Sequence, residues 1–130
     1  MGIFNRVNDI IQANIVAMLD KAEDSEKLLN LMLTEMQEAL NECRSTAAAL
    51  LCEEKSIKRQ ISNKQQALAN WQLKAEHAVT KNRDDLAKSA LAEKHTVEQS
   101  IGCLQTQLEA LQQSITKITE DCERLQQKMT

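Results

Sequence analysis

Apolar residues recur along most of the chain in alternating steps of three and four positions, and the pattern breaks around residues 80–85. This spacing is typical of a coiled-coil seam, in which each helix buries one narrow stripe. Before the break the stripe contains Leu29, Leu33, Met36, Leu40, Cys43, Ala47, Leu50, Ile57, Ile61, Leu68, Trp71, Ala75 and Ala78. After the break it contains Ala87, Ala90, Val97, Ile101, Leu104, Leu108, Leu111, Ile115, Ile118, Cys122, Leu125 and Met129. The pattern therefore predicts two long helices.

The break predicts a turn that folds the second helix back onto the first. We expect helices over about 25–81 and 84–130, joined by a tip that consists of Lys81, Asn82, Arg83 and Asp84. Asn82 is the predicted N-cap of the returning helix, because its side-chain oxygen can accept a hydrogen bond from a free N–H group. The carboxylates of Asp84 and Asp85 then favour the positive end of the helix dipole. The predicted fold class is all-α, a long antiparallel two-helix coiled-coil hairpin.

An antiparallel hairpin with this tip has one register that aligns the two stripes. Near the tip it pairs Ala78 with Ala87, and far from the tip it pairs Met36 with Met129. Registers shifted by one heptad need a longer loop or a loop too short to close. We therefore predict this register along the whole hairpin.

Some layers of this register are unusual. Charged side chains enter three of them, and we expect their stems to pack while their charged ends reach solvent: Glu54, Lys64 and Lys94. Lys94 faces Trp71, so its ammonium group can lie over the indole ring. Cys43 and Cys122 share a layer and are expected to behave as small apolar residues. A disulfide between them would require Cα atoms within about 7 Å.

Residues 1–24 differ in character from the hairpin. On a single helix, their larger apolar side chains form one broad face: Ile3, Phe4, Val7, Ile10, Ile11, Ile15, Met18 and Leu19. This face is too wide for a two-stranded seam. It suits insertion into a bilayer interface, and it equally suits packing on another protein helix. The pattern predicts an amphipathic helix and leaves these two uses open.

Four apolar residues at the start of the hairpin have no counterpart on the second helix in this register: Leu28, Leu29, Met32 and Leu33. An unpaired apolar stripe usually marks a partner surface. Its partner could be the amphipathic segment folded back, another subunit, or further chain. The stripe is therefore a predicted oligomer or partner surface.

Composition supports a helical protein without a catalytic centre. The 130 residues include no proline, two glycines and 2% aromatic residues, as expected for long helices. A net charge of −3 without a basic block argues against direct binding to nucleic acid. His77 and His95 lack partners at ligand spacing, and the sequence has no nucleophile or phosphate-loop motif. We predict no enzyme activity, no cofactor, no metal and no transmembrane span.

The sequence resembles the phage shock protein A family, which includes the plastid vesicle-inducing protein. The resemblance covers the whole chain, and several short motifs carry it: Met1-Gly2-Ile3-Phe4, Ala13-Asn14-Ile15, Lys21-Ala22-Glu23-Asp24, Leu31-Met32, Glu35-Met36, Arg44-Ser45-Thr46, Asp85-Leu86-Ala87 and Ala90-Leu91-Ala92-Glu93-Lys94. The opening motif followed by Lys-Ala-Glu-Asp is the more specific part. The resemblance implies a hairpin like that of ESCRT-III proteins and a membrane-binding N-terminal helix.

The resemblance also implies a function in the cell-envelope stress response. Members of the family inhibit a AAA+ activator of sigma-54 promoters, and they coat stressed inner membrane from the cytoplasmic side as large oligomers. Two alternatives remain: an ESCRT-III-like scaffold that remodels membrane by polymerising, and a generic coiled-coil spacer. Ser25 stands where the family usually has proline. We therefore expect a helix that is more easily continuous across residues 20–30.

Overall fold

The computed structural model describes the backbone of residues 2–129 and the side chains of residues 5–129. Over this range the chain forms four helices and no strand: α1 (Gly2–Gln12), α2 (Ile15–Lys21), α3 (Ser25–Thr80) and α4 (Asp84–Met129). The two long helices pack against each other. The predicted all-α helical hairpin is confirmed. The predicted helix bounds are about 25–81 and 84–130, and residue 130 lies outside the described part of the chain.

The chain divides into two compact units. The terminal unit comprises residues 1–51 and 113–130, and the turn unit comprises residues 52–112. The buried residues of the turn unit all belong to the predicted stripes: Ile57, Ile61, Ala75, Ala78, Ala87, Ala90, Ile101, Leu104 and Leu111. Alanine fills the layers beside the turn. Small side chains there leave little bulk between the two helices.

The turn joins α3 to α4 through a left-handed residue, Asn82, with φ of 55°. Its N–H group donates to the carbonyl of Val79 (3.0 Å), and the N–H of Arg83 donates to the carbonyl of Ala78 (2.8 Å). These two bonds form a Schellman motif, which satisfies carbonyls at the end of α3. The prediction that Asn82 is the N-cap of α4 is therefore wrong. Asparagine tolerates the left-handed conformation, so it terminates the first helix instead.

The contact predicted for Trp71 is also different. Lys94 Nζ lies 2.8 Å from Gln72 Oε1 and 3.9 Å from Glu98 Oε1. The ammonium group over the indole belongs to Lys74, whose Nζ is 4.5 Å from the ring centre. Lys94 instead takes oxygen partners at the edge of the seam, because its long stem lets the charge leave the apolar layer.

The N-terminal segment contains two helix breaks. The Asn14 side chain accepts a hydrogen bond from Ala17 N (3.1 Å), which begins a new helix and makes residues 1–24 two helices rather than one. At the second break, Ala22 is extended (φ −80°, ψ 140°) and Asp24 Oδ1 accepts from Lys27 N (3.0 Å). The prediction of a continuous helix across residues 20–30 is wrong. Capping by Asn14 and Asp24 satisfies free N–H groups and ends each preceding helix without proline.

The core of the terminal unit contains residues from three helices: Val7, Met36, Ala39, Leu40, Cys43, Ile118 and Leu125. Within it, Cys122 Sγ lies 2.6 Å from Cys43 Sγ, and both cysteines are free thiols. The predicted layer that these two residues share is confirmed. Burial, followed by the hydrogen bond and charge interaction with Cys122, raises the pKa of the Cys43 thiol to about 12.

Mild oxidation is expected to link Cys43 to Cys122 within one chain. The two sulfurs already face each other, whereas Cys52 and Cys103 are exposed and outside the seam. Linking should accelerate as the pH rises, because the thiolate is the nucleophile and the raised pKa of Cys43 keeps it protonated near neutrality. Peptide mapping after treatment with diamide checks this. A Cys52→Ser, Cys103→Ser double variant should form the same link. In the wild-type protein, a link from Cys43 or Cys122 to Cys52 or Cys103 in its place would contradict the register.

Candidate functional site: the N-terminal helices on the hairpin core

The apolar face of α1 is docked on the core of the terminal unit. Val7 is 0% exposed and lies among core residues of α3 and α4. The partly buried side chains of Ile10, Ile11 and Ile15 pack against the same core. Burying aliphatic side chains of this size stabilises the docked arrangement by about 1.5–3 kcal/mol for each one fully removed from water. Packing on protein, one of the two uses left open by the sequence, is therefore realised in this structure.

An ion-pair cluster joins α1 to α3 at the protein surface. The Arg6 guanidinium group donates to Glu42 Oε1 (3.2 Å) and Glu38 Oε2 (3.4 Å). The two glutamates are one helical turn apart, so one guanidinium group reaches both. Their side chains are 54% and 62% exposed, and exposed pairs of this kind contribute little stability each. The cluster therefore contributes more to the orientation of α1 than to the stability of its docked position.

Lys128 of α4 caps the C-terminal end of α1. Its Nζ donates to the carbonyl oxygens of Ile10 (2.7 Å), Ile11 (2.5 Å) and Ala13 (2.5 Å). The last carbonyls of a helix have no partner within the helix, and they lie at the negative end of its dipole. A lysine ammonium group has three protons to donate. The three carbonyls therefore use its full donor capacity.

The other predicted membrane-binding residues are distributed differently. Met18 of α2 is 45% exposed, and Leu19 is half-buried. Val16, which is in α2 and outside the predicted apolar face, is 69% exposed. The side chains of Ile3 and Phe4 lie outside the described residues. Four of the eight predicted residues are thus at the core, and two remain at or near the surface of α2.

The predicted partner stripe at the start of α3 is only partly covered. Leu29 and Leu33 are 40% and 38% exposed, and Leu28 and Met32 are half-buried. Beside Met32, a groove of about 160 Å³ is lined by Ile10, Ile15 and Met18 of the N-terminal helices. The amphipathic segment therefore folds back toward this stripe, which is one of the three partners that the sequence left open. It leaves the apolar edge that contains Leu29 and Leu33 exposed.

Sequence reasoning found the apolar face of α1 but missed the polar groups that contact it in the docked arrangement. Arg6, Glu38 and Glu42 appear in the sequence as ordinary surface charges, although Glu38 and Glu42 have the spacing of one helix face. Lys128 appears as a favourable cation in the last turn of α4. Its acceptors precede it by more than one hundred residues, so no local signal identifies them.

Within the described residues, no helix is both long and apolar enough to cross a membrane. Because the two long helices pack against each other and α1 packs on them, the molecule is a helical-hairpin protein with an amphipathic N-terminal segment docked on the hairpin. Comparison with known protein families gives a match over residues 2–130 to the PspA/IM30 family. The chain belongs to that family.

Named relatives from bacteria and plants show the same likeness. The chain is 34% identical over 108 residues to membrane-associated protein Vipp1 of Synechocystis, which covers 83% of this chain and 40% of the relative. It is 30% identical over 132 residues to the phage shock protein A homolog of Deinococcus radiodurans, with 91% of this chain and 59% of the relative covered. The chloroplastic membrane-associated protein VIPP1 of Arabidopsis thaliana is 26% identical over 129 residues, with coverage of 99% and 39%. The chain spans between 39% and 59% of the length of these three relatives.

Proposed function

We propose that this protein is a peripheral membrane adaptor in the envelope stress response, which inserts the apolar face of α1 and α2 into the bilayer interface. The single observation that supports this most is the separation of α1 into an apolar side and a polar side. Val7, Ile10 and Ile11 form the apolar side, while Asn5, Asn8 and Asp9 are exposed. A helix of this kind can exchange protein packing for the acyl boundary of a bilayer at similar gain in buried apolar area. Relatives named as membrane-associated proteins favour the same use.

The proposed place of action is the cytoplasmic side of the inner membrane, and the proposed protein partner is a AAA+ activator of sigma-54 promoters. The hairpin would dock on this ATPase and slow its turnover when α1 is not engaged with lipid. Support for this part comes from membership of the family and from a relative named as a phage shock protein A homolog. Formation of a homo-oligomer belongs to the same proposal.

The test of membrane insertion is co-sedimentation with small unilamellar vesicles of phosphatidylethanolamine and phosphatidylglycerol. Phe4→Asp is expected to weaken binding about tenfold or more, because it removes a large apolar side chain from the inserting face and adds a charge to it. Asn5→Asp is the matched control, since it makes the same change in charge at an exposed neighbouring position. Equal binding by the wild-type protein and Phe4→Asp would exclude insertion of this face.

The inhibitory part needs a separate measurement, the ATPase rate of a purified sigma-54 activator with increasing amounts of this protein. We expect the rate to fall, and vesicles that bind the protein should restore it. An unchanged ATPase rate would reject the inhibitory role and leave the membrane role standing.

A membrane-remodelling scaffold is the second candidate function. The exposed apolar edge of α3 favours it, because Leu29, Leu31 and Leu33 are 40%, 57% and 38% exposed and could pack against a neighbouring copy. Electron microscopy of protein with vesicles separates the two candidates. Ordered polymers with deformed vesicles support the scaffold, and bound protein without polymers supports the adaptor.

A further inference from the structure

We propose that Lys128 keeps α1 docked on the hairpin, an arrangement that we call the closed state. In this proposal α1 must separate from Lys128 before its apolar face can enter a bilayer. This inference rests on the proposed membrane function and adds a regulatory step to it. Three contacts support the closed state: the burial of Val7, the capping of α1 by Lys128, and the ion pairs of Arg6.

Docking and insertion compete for the same side chains. Val7 is 0% exposed in the closed state, and Ile10 and Ile11 pack against the same core. An inserting helix needs these residues in the acyl boundary, because they form the apolar side of α1. One face cannot contact the hairpin core and lipid at once. The closed state is therefore a state in which insertion is blocked.

The capping bonds form only in the closed state, because donor and acceptors come from different ends of the chain. Lys128 Nζ belongs to α4, and its three acceptors are carbonyls of Ile10, Ile11 and Ala13. When α1 leaves, the ammonium group and the carbonyls must each find other partners. Hydrogen bonds from a charged donor are among the stronger ones in proteins, so their loss shifts the balance between closed and open states.

The Arg6 cluster is a weaker second contact. Its glutamate partners are more than half exposed, so salt screens the interaction. Lys128 is half-buried and makes three bonds rather than two. We therefore assign to Lys128 the role of keeping α1 in the closed state, and Arg6 is a positioning residue for α1.

The test compares Lys128→Gln with Lys88→Gln, which removes the same charge from an exposed position on the same helix. Amide hydrogen exchange of residues 2–12 is measured first, without vesicles. We expect it to be about tenfold faster in Lys128→Gln and unchanged in Lys88→Gln, because the open fraction rises when the capping bonds are lost. Lys128→Arg retains a charged donor and should restore part of the protection.

Binding to vesicles of phosphatidylethanolamine and phosphatidylglycerol is measured next. Apparent affinity is reduced by the fraction of protein that is closed, so Lys128→Gln should bind about tenfold more tightly than wild type. Loss of a positive charge alone would weaken binding to these anionic vesicles. An increase therefore reports opening of α1, and adding Phe4→Asp should abolish it.

Two outcomes would count against the inference, and a third would count against the proposed function alone. Unchanged exchange of α1 in Lys128→Gln would show that Lys128 does not hold α1 closed. Suppose that Phe4→Asp weakens vesicle binding by the wild-type protein, and that Lys128→Gln shows faster exchange of α1 but no tighter vesicle binding. This result would show that the closed state does not limit insertion. Faster exchange in a protein that binds no vesicles in any variant would reject the proposed function, while supporting Lys128 as the residue that closes α1.

Discussion

Replacing Leu125 with alanine is expected to lower the free energy of unfolding by about 2–5 kcal/mol. Leu125 is 0% exposed and contributes to the one buried cluster in which α1, α3 and α4 all take part within the described residues. Alanine loses the transfer free energy of the removed methyl and methylene groups, and it leaves a cavity between three helices that cannot close without shifting one of them. Urea denaturation followed by far-UV circular dichroism measures the change.

The matched control is Leu91→Ala, in the same helix. Leu91 is 47% exposed, so its truncation should cost about 0.5 kcal/mol or less. A loss for Leu125→Ala as small as that of the control would show that the terminal unit does not depend on this core. A loss confined to α1, seen as faster hydrogen exchange of residues 2–12 without a change in the urea midpoint, would show that Leu125 supports docking only.

Replacing Val7 with aspartate is expected to release α1 while the hairpin stays folded. The change puts a carboxylate where the side chain is 0% exposed and is surrounded by Met36, Ala39, Leu40 and other apolar groups. A buried charge without a partner costs several kcal/mol, which exceeds the gain from burying one valine. Hydrogen exchange of α1 should become about a hundredfold faster or more, and the exchange of the turn unit should not change.

Asn8→Asp is the control for this second variant, because Asn8 is exposed and next to Val7. It should keep the exchange rates of the wild type. Val7→Asp also differs from Lys128→Gln in a useful way: it opens α1 but damages the apolar face, so vesicle affinity should not rise. If Val7→Asp leaves α1 protected, the helix is held by its polar contacts and the core contact of Val7 is unimportant.

The hairpin was predictable because its signal is local and repeated many times. Most turns of α3 and α4 contribute an apolar residue to the stripe, so the period, the position of the break and the register follow from spacing alone. The Cys43–Cys122 layer shows this well, since the register places both residues together and their sulfurs are 2.6 Å apart. A single error in one layer, such as the partner of Trp71, does not disturb the rest.

The helix ends were harder to predict because several conformations are close in energy there. Asparagine is favourable both as an N-cap and in the left-handed region, so its presence at position 82 did not decide which helix it terminates. The bonds from Asn82 and Arg83 back to α3 decide this in favour of a Schellman motif. Likewise, Asp24 caps the start of α3, so the helix is interrupted within residues 20–30. This happens although Ser25 stands where the family usually has proline.

The sequence by itself determined the two seams, their register and the amphipathic character of α1, because periodicity and side-chain polarity are properties of neighbouring residues. Only the tertiary structure decided where the apolar face of α1 lies. That face can be satisfied by lipid, by another subunit or by its own hairpin, and the hydrophobic effect does not distinguish among them. In this structure Lys128 caps α1, and Val7 of α1 packs into the core of the hairpin. Both contacts join residues that are far apart in the sequence, so no local pattern specifies them.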